Sequence, residues 1–391
     1  MIKNNNVLAL LGAAATNLIS VQANALDVAE DFRFGLRYHS YTEDSLPQSL
    51  GGSTDRYDIK VNQFSIVTPL SDSFDLSINY QQERMSGASP WYTLQDADGL
   101  PLQIMSGASI YDERKDSSVK FRYVDGANSL AVIAARSSED DYKSASYGLE
   151  FVHETPDKQA TWTVAADFSN DKINPVDADI FLTRPTTEQS KHSSSLVISY
   201  SQLLNKHTLL QLGASLSDKS GYLSDPYKMV LVNFELIGDN RPTTRRAKTL
   251  SSRIRYFVDT LNAALHVDYR YYTDSWDIQS HTFNVSWYQN LPFDLQLIPS
   301  VRFYNQSQSY FYDVFYQQSR SDSFYSTDYR LAEYGAITTG IKLVKTFDSW
   351  SITLSADQYS SGGGKGLANA EFENPALLDF KLISLGFDVR F

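Results

Sequence analysis

The sequence predicts an all-β protein, a transmembrane antiparallel up-and-down β-barrel of about sixteen strands with short periplasmic turns and long extracellular loops. Three observations support this fold class. Apolar and polar residues alternate through segments of about ten to sixteen residues, as they do in strands that face lipid on one side. The connections between these segments alternate between short and long, and the chain ends on a strand-like segment with an aromatic last residue.

The N-terminal segment, residues 1–25, is predicted to be a secretory signal peptide, and residues 26–391 a single outer-membrane barrel domain. Lys3 gives a weakly positive start, VLALLGAAATNLIS a short apolar core, and Ala23-Asn24-Ala25 a small-residue cleavage pattern. The apolar core is too short for a membrane anchor. We therefore expect export through the inner membrane and localisation in the cell outer membrane.

Composition excludes several classes of protein. Beyond the signal segment, no stretch has the roughly 20 apolar residues that a transmembrane helix needs. The absence of Cys excludes disulfides, thiolate metal sites and covalently attached c-type haem. The net charge of −12 argues against nucleic-acid partners. The six His residues show no spacing typical of a metal site, so we predict neither a metal nor a cofactor.

The strand segments carry a side-chain period of two. In FDLSINYQ, residues 74–81, Phe, Leu, Ile and Tyr alternate with Asp, Ser, Asn and Gln. The same alternation runs through residues 162–168 and 282–287. The 25 Tyr, 21 Phe and 5 Trp fit such lipid-facing rows. The pattern slips near Gln63 and Phe64, where we predict a β-bulge.

Fifteen connections separate the segments, which gives sixteen strands. Seven are short (TPLSDS, VDGANS, ETPDKQ, LLNKH, FVDTLN, QNLPFD and TFDSW) and alternate with eight that are mostly long. This asymmetry is typical of bacterial outer-membrane barrels, and an even strand number places both termini in the periplasm. Counting YKMVLVNFELIG, residues 227–238, as a barrel strand would break the alternation. We predict that it forms structure inside a long outer loop, folded over the pore or tucked into it.

The last ten residues, LISLGFDVRF, predict the closing strand. Phe387, Val389 and Phe391 share its apolar, lipid-facing side. We expect this strand to pair with a first strand near residues 31–41, so that the sheet has no free edge. A terminal Phe preceded by alternating apolar residues resembles the signal that the barrel-assembly machinery reads. These three residues are therefore a candidate assembly signal, and that machinery and outer-membrane lipid are predicted partners.

The inward faces of the predicted strands supply a polar lumen. Candidate pore-lining residues lie on three strands and are Arg253, Arg255, His266, Asp268, Arg270 and Arg302. Opposed charges inside a barrel set a transverse field and tune selectivity. Alternatively, these residues pair with one another and brace the wall, since buried charges are normally paired.

One constellation suggests enzyme chemistry at the outer rim. His192 and Ser194 share the outward face of one strand, and Asn170 lies at the outer end of the neighbouring strand. In outer-membrane phospholipases His activates a Ser hydroxyl and Asn holds the imidazole. However, HSSS is a common polar start of a strand, and the flanking residues do not match those enzymes. We predict that the protein is not an enzyme.

Six stretches are unlike generic barrel turns: SGASP, SGASIYDERKD, YLSDPYK, RPTTR, DYRYYTDSWDIQSHT and SVRFYNQSQSYFY. They resemble a bacterial family known as domain-of-unknown-function family 3570, over most of the chain. The resemblance implies an outer-membrane barrel. Genes of this family are often found beside redox and flavin-attachment functions, which implies redox-related partner proteins and assigns no residue a role.

These observations favour an outer-membrane channel or passive transport component whose loops partly close the pore. The alternative is a barrel scaffold or anchor for a redox or flavin-linked assembly at the cell surface, and a third hypothesis is an outer-membrane hydrolase. Ion conductance separates the first two hypotheses, because a scaffold with a plugged lumen passes no ions.

Overall fold

The computed structural model describes residues 27–46, 54–106, 110–176, 178–179 and 183–391. The predicted signal peptide lies outside the described residues. No helix in these ranges is long and apolar enough to cross a membrane.

The strands are β1 (Arg33–Glu43), β2 (Asp58–Ser71), β3 (Phe74–Gly87), β4 (Pro90–Gln95), β5 (Pro101–Met105), β6 (Ile110–Asp125), β7 (Asn128–Ser138), β8 (Tyr142–Glu154), β9 (Ala160–Ile173), β10 (Gln189–Asn205), β11 (Thr208–Gly221), β12 (Met229–Val232), β13 (Glu235–Gly238), β14 (Thr244–Val258), β15 (Ala263–Asp274), β16 (Gln279–Leu291), β17 (Leu295–Gln306), β18 (Tyr334–Thr346), β19 (Trp350–Gly362) and β20 (Asp379–Arg390). Short 3₁₀ helices span Asp259–Leu261, Tyr329–Leu331 and Gly363–Lys365.

Sixteen of these strands form one closed antiparallel barrel, which confirms the predicted fold class and strand number. The other four form two hairpins, β4–β5 and β12–β13, outside the barrel wall. Pairing of β1 with β20 closes the sheet, with Leu36 opposite Phe387 and Arg33 opposite Arg390. Closure leaves no strand edge exposed to lipid, where unpaired backbone groups cannot find water.

The connections have two sizes, and each size belongs to one end of the barrel. Seven connections have two to five residues, and we call their end the short-turn end. The opposite, long-loop end carries residues 44–57, 88–109, 174–188, 222–243, 307–333 and 363–378, together with two shorter connections. The hairpin β12–β13 lies inside the connection from β11 to β14, so residues 227–238 form structure within a long loop, as predicted.

The outer surface of the barrel is apolar. On β20, Ile383 and Leu385 are 61% and 47% exposed, and Phe391 just beyond the strand is 79% exposed. Tyr147 and Leu149 on β8 are exposed in the same way. Soluble proteins rarely expose such continuous apolar rows, whereas lipid covers them in a membrane barrel. The alternation predicted from sequence is therefore the difference between lipid-facing and lumen-facing side chains.

The predicted bulge near Gln63 and Phe64 is wrong. The register between β1 and β2 continues through both residues without a shift. The irregularity in β2 lies nearer the short turn, between Pro69 and Ser71.

The slip in the sequence pattern has a different physical cause. Ile59 and Val61 face inward and are buried in an apolar cluster with Tyr41 and Met85 at the long-loop end. Phe64, further along the same strand, faces outward and is exposed. The apolar residues of β2 thus change from the lumen side to the lipid side while the backbone stays regular.

The closing strand gives a first testable prediction. Phe391 lies 6.1 Å from Phe32 between ring centroids, and its backbone N–H donates to the Phe32 carbonyl over 2.9 Å. We expect Phe391→Asp to reduce the amount of protein in the outer-membrane fraction strongly, because it places a charge on the lipid-facing row. Arg390→Gln is the neighbouring control and should have little effect. Equal membrane levels of the two variants, measured by immunoblot, would contradict the role of Phe391 in assembly.

Candidate functional site

Four long connections interlock at the long-loop end. Lys228 Nζ donates a hydrogen bond to the Pro90 carbonyl over 2.9 Å. Asn374 Nδ2 donates to the Tyr312 hydroxyl over 2.9 Å. We call this assembly the mouth plug, and it consists of residues 88–106, 222–243, 307–333 and 363–378. The loops therefore form one packed unit.

The mouth plug has its own apolar interior. Val230 and Val232 of β12 pack against Tyr316 and Tyr325 from residues 307–333. A second cluster surrounds Phe311, whose side chain is completely buried. Burying a side chain of this size contributes about 1.5–3 kcal/mol. Loops with this much buried apolar surface hold a defined conformation.

Buried charges join two of the four loops, and we call these charges the ionic core. Arg241 Nε lies 2.7 Å from Asp239, and its Nη2 lies 2.8 Å from Asp328. Arg330 Nη2 lies 2.6 Å from Asp225 and also contacts Asp328. Each arginine therefore bridges residues 222–243 and residues 307–333. A bidentate guanidinium between carboxylates is a strong, directional contact.

The ionic core shifts the pKa values of its members. Burial acts to raise the pKa of Asp328, but Arg330, Lys228 and Arg241 outweigh it and hold that pKa well below its usual range. The pKa of Asp225 is also lowered: burial opposes the shift, and Arg330 is the main cause of it. Because these folded-state values lie below the unfolded value of about 3.9, both carboxylates stabilise the plug above that pH. Their contribution is lost as the pH falls through the folded-state values.

Burial also shifts the pKa values of Asp239 and of Lys228, a neighbouring cation that we count as part of the ionic core. Burial raises the pKa of Asp239, against the opposing charge of Arg241. Burial lowers the pKa of Lys228, with Asp328 acting in the opposite direction. Burial thus penalises the charged forms of these two groups, and the opposite charges nearby offset that penalty only in part.

The plug is also tied to the barrel wall. Arg56 Nε lies 2.6 Å from Glu43 at the end of β1, and both side chains are almost completely buried. Arg56 Nη1 donates to the Ala376 carbonyl over 3.0 Å, and its guanidinium lies 5.7 Å from the Tyr329 ring. This single arginine therefore links the wall to residues 363–378 and 307–333.

The predicted pore-lining residues lie on β14, β15 and β17, on the face opposite the exposed Ile254 and Val301. Some of them brace the wall. Arg255 Nη1 lies 2.5 Å from Asp268, and Arg253 Nη1 donates to Gln211 over 3.3 Å. The ring centroids of His266 and Tyr288 lie 3.9 Å apart, with the two rings tilted by 34°.

Arg270 and Arg302 behave differently. Both are exposed although both lie on the inward face. Within the described part of the chain, neither forms an ion pair. On the opposite wall Asn79 of β3 also faces inward and is exposed. Side chains that face inward and remain exposed require space in the lumen beneath the plug. Pairing within the set is seen for Arg255 and Asp268, whereas pore lining by Arg270 and Arg302 stays a prediction.

The rim constellation is only partly assembled. His192 Nδ1 lies 2.7 Å from Asn170 Oδ1, across the pairing of β10 with β9. Ser194 lies opposite Phe168 in the same pairing. Among the described residues, no hydrogen bond joins Ser194 to His192, and such a contact is what would activate the hydroxyl. Likewise, in the ranges that the structure describes, no group of His, Asp or Glu side chains is arranged to hold a metal ion.

The sequence analysis missed the ionic core. Its residues include the pattern Asp-x-Arg twice, at Asp239 and Arg241 and at Asp328 and Arg330. Three members, Asp225, Lys228 and Arg241, also lie in the stretches YLSDPYK and RPTTR that set the chain apart from generic barrels. The spacing could have marked these loops as structured, but it could not have paired one loop with the other.

The family model described as "Protein of unknown function (DUF3570)" matches residues 7–371. No curated protein matches the chain.

Several solved structures are similar to this chain. CdiB from Acinetobacter baumannii is 9% identical with a TM-score of 0.51, and the match covers 93% of this chain and 60% of CdiB. A bacterial polysaccharide outer membrane secretin is 9% identical with a TM-score of 0.49, over 94% of this chain and 100% of the other. A BenF-like porin from Pseudomonas fluorescens Pf-5 is 10% identical with a TM-score of 0.44, over 93% and 100% of the two chains. The likeness to CdiB shows the outer-membrane barrel fold alone.

Proposed function

Because this chain belongs to the DUF3570 family of proteins of unknown function, we propose its function from its own residues: an outer-membrane channel or passive transport component, closed at the long-loop end by the mouth plug. The observation that carries the proposal is the exposure of Arg270 and Arg302 on the inward face. A lumen packed with side chains would bury them. A barrel of sixteen strands is wide enough to hold water, as porins of similar strand number do.

The mouth plug is built to separate from the lumen without unfolding the wall. Its apolar clusters and its ionic core lie mostly between loops, and the hairpin β12–β13 pairs with no barrel strand. Opening the plug exchanges contacts between loops for water and leaves the strand ladders intact. We propose that this end lies outside the cell and both termini in the periplasm, as the even strand number and the signal peptide predicted from the sequence suggest.

Removal of the hairpin tests the proposal. In planar lipid bilayers we expect the full-length protein to give rare current steps, and a variant lacking residues 227–238 to give frequent ones. The barrel strands are unchanged in the variant, and heat-modifiable migration in gels checks that it is folded. Absence of current steps from both proteins would contradict the channel function.

The second candidate is a scaffold or anchor for a surface assembly that includes redox or flavin-linked partner proteins. The observation that favours it is the apolar surface of the closed plug, where Phe234 is fully exposed and Leu367 is 71% exposed. Such residues suit a docking surface for a protein partner. Under this proposal the hairpin deletion gives no conductance.

We do not propose an enzymatic function. The contact between His192 and Asn170 is the one feature in favour of the hydrolase hypothesis. Ser194 lies opposite Phe168, and among the described residues it forms no hydrogen bond with His192, the contact that would activate its hydroxyl.

A further inference from the structure

Two lumen cations lie close together without a counter-charge. The charge of Arg270 acts on Arg302, so the two guanidiniums repel each other. Neither makes an ion pair with any described residue, whereas Arg255 nearby is paired with Asp268 at 2.5 Å. Two like charges without an ion-pair partner, on nearby positions of a barrel interior, are unfavourable unless water or an anion solvates them.

Strand register places the two arginines near each other on the inward face. Asn284 of β16 lies opposite Asp268 of β15 and opposite Arg302 of β17. Arg270 is the next inward-facing residue after Asp268 along β15. Arg270 lies four positions before the last residue of β15, and Arg302 lies four positions before the last residue of β17, both toward the long-loop end. At about 3.3 Å per residue, both arginines lie roughly 13 Å, measured along the strand, from the ends of their strands at the long-loop end.

Most of the surroundings are neutral and polar. Neutral inward-facing neighbours in the same register rows are Thr282, Asn284, Tyr304, Thr338 and Tyr359. The acid in the row of Arg302 is Asp268, which is paired with Arg255. The Tyr304 hydroxyl donates to Gln306 over 2.6 Å, and Gln306 Nε2 in turn donates to the Ala332 carbonyl of the mouth plug over 2.6 Å. These groups can hydrogen-bond a solute but cannot neutralise two guanidiniums.

We propose that Arg270 and Arg302 form a binding site for a divalent oxyanion, a phosphate or a dicarboxylate, directly beneath the mouth plug. Each guanidinium presents parallel N–H donors that fit two oxygens of such a group. A dianion neutralises the charges of both arginines at once, which a monoanion cannot do. This inference deepens the proposed function, since it names the class of solute that the lumen would take.

Equilibrium binding to the purified full-length protein in detergent tests the site, with inorganic phosphate, succinate and acetate as probes. We expect saturable binding of a dianion at least tenfold tighter than binding of acetate. Comparing phosphate with succinate identifies which oxyanion the site prefers. Arg270→Gln and Arg302→Gln should each weaken dianion binding about tenfold or more, whereas Arg253→Gln, which removes another lumen cation, should change it less than twofold.

Equal weakening by all three substitutions would overturn the proposal, because it would indicate a diffuse lumen potential instead of a site. Absence of saturable dianion binding would overturn it as well. The binding measurement does not depend on ion flow, so a negative binding result rejects the site without rejecting the channel function. Dianion binding without conductance in the hairpin deletion would retain the site and reject the channel.

Discussion

Arg330→Gln should convert the closed protein into one that conducts frequently. Arg330 contacts Asp225 and Asp328, and these two carboxylates come from different loops of the mouth plug. Removing one partner of a buried ion pair costs about 3–5 kcal/mol, because the remaining charges stay buried without compensation. Since about 1.4 kcal/mol corresponds to a factor of ten, the ratio of closed to open protein should fall more than about a hundredfold. Open probability in planar bilayers measures this ratio.

The same loop offers a matched control. Arg320 pairs with Asp322 at the same spacing, but both side chains are 31% exposed. Exposed pairs of this kind contribute about 1 kcal/mol or less, so Arg320→Gln should leave open probability close to that of the unmodified protein. If both substitutions had equal effects, or neither had any, the ionic core would not hold the plug closed.

The second large effect is expected on ion selectivity. In the variant lacking residues 227–238, Arg270→Gln with Arg302→Gln should shift the reversal potential in a salt gradient toward cation selectivity. Two unit charges 4 Å apart interact by about 1 to 4 kcal/mol between bulk water and a protein surface. We therefore expect the anion-to-cation permeability ratio to fall at least about fivefold.

The control for selectivity removes the same charge from the outside of the barrel. Arg136 and Lys143 lie on the outward faces of β7 and β8. Arg136→Gln with Lys143→Gln should therefore leave the reversal potential unchanged. A shift as large as that of the lumen double variant would mean that net charge, and not the inward-facing pair, sets selectivity.

The barrel could be predicted from the sequence because lipid and lumen select opposite faces of every strand. That rule places Phe391 and Ile383 outside and Arg302 inside without any knowledge of partners. It fails in β2, where Ile59 and Val61 are apolar but line the inside beneath the mouth plug. Alternation indicates whether a residue prefers an apolar or a polar environment. Where an apolar cluster fills part of the lumen, apolar residues face inward instead of toward lipid.

The candidate site was predictable only in part. The strand period predicts that the six candidate pore-lining residues face inward. Which of them form ion pairs depends on the register between strands: Arg255 is paired with Asp268, and Arg270 forms no ion pair among the described residues. The ionic core follows from no period, since Asp225 and Arg330 are 105 residues apart in the chain. The strand period and the count of turns place His192 and Ser194 on one outward face, next to Asn170 on the neighbouring strand. Neither of them predicts which of these side chains form hydrogen bonds with one another.

Water in the lumen is the central claim, and labelling of introduced cysteines tests it most directly. The chain has no Cys, so a single introduced thiol gives an unambiguous signal. Thr338 lies opposite Arg302 on the inward face, and Ile337, its neighbour in β18, faces outward and is 43% exposed toward lipid. In the reconstituted protein, a charged water-soluble maleimide should modify Thr338→Cys readily and Ile337→Cys hardly at all. Protection of Thr338→Cys to the same degree as Ile337→Cys would show a dry, filled barrel and contradict the account.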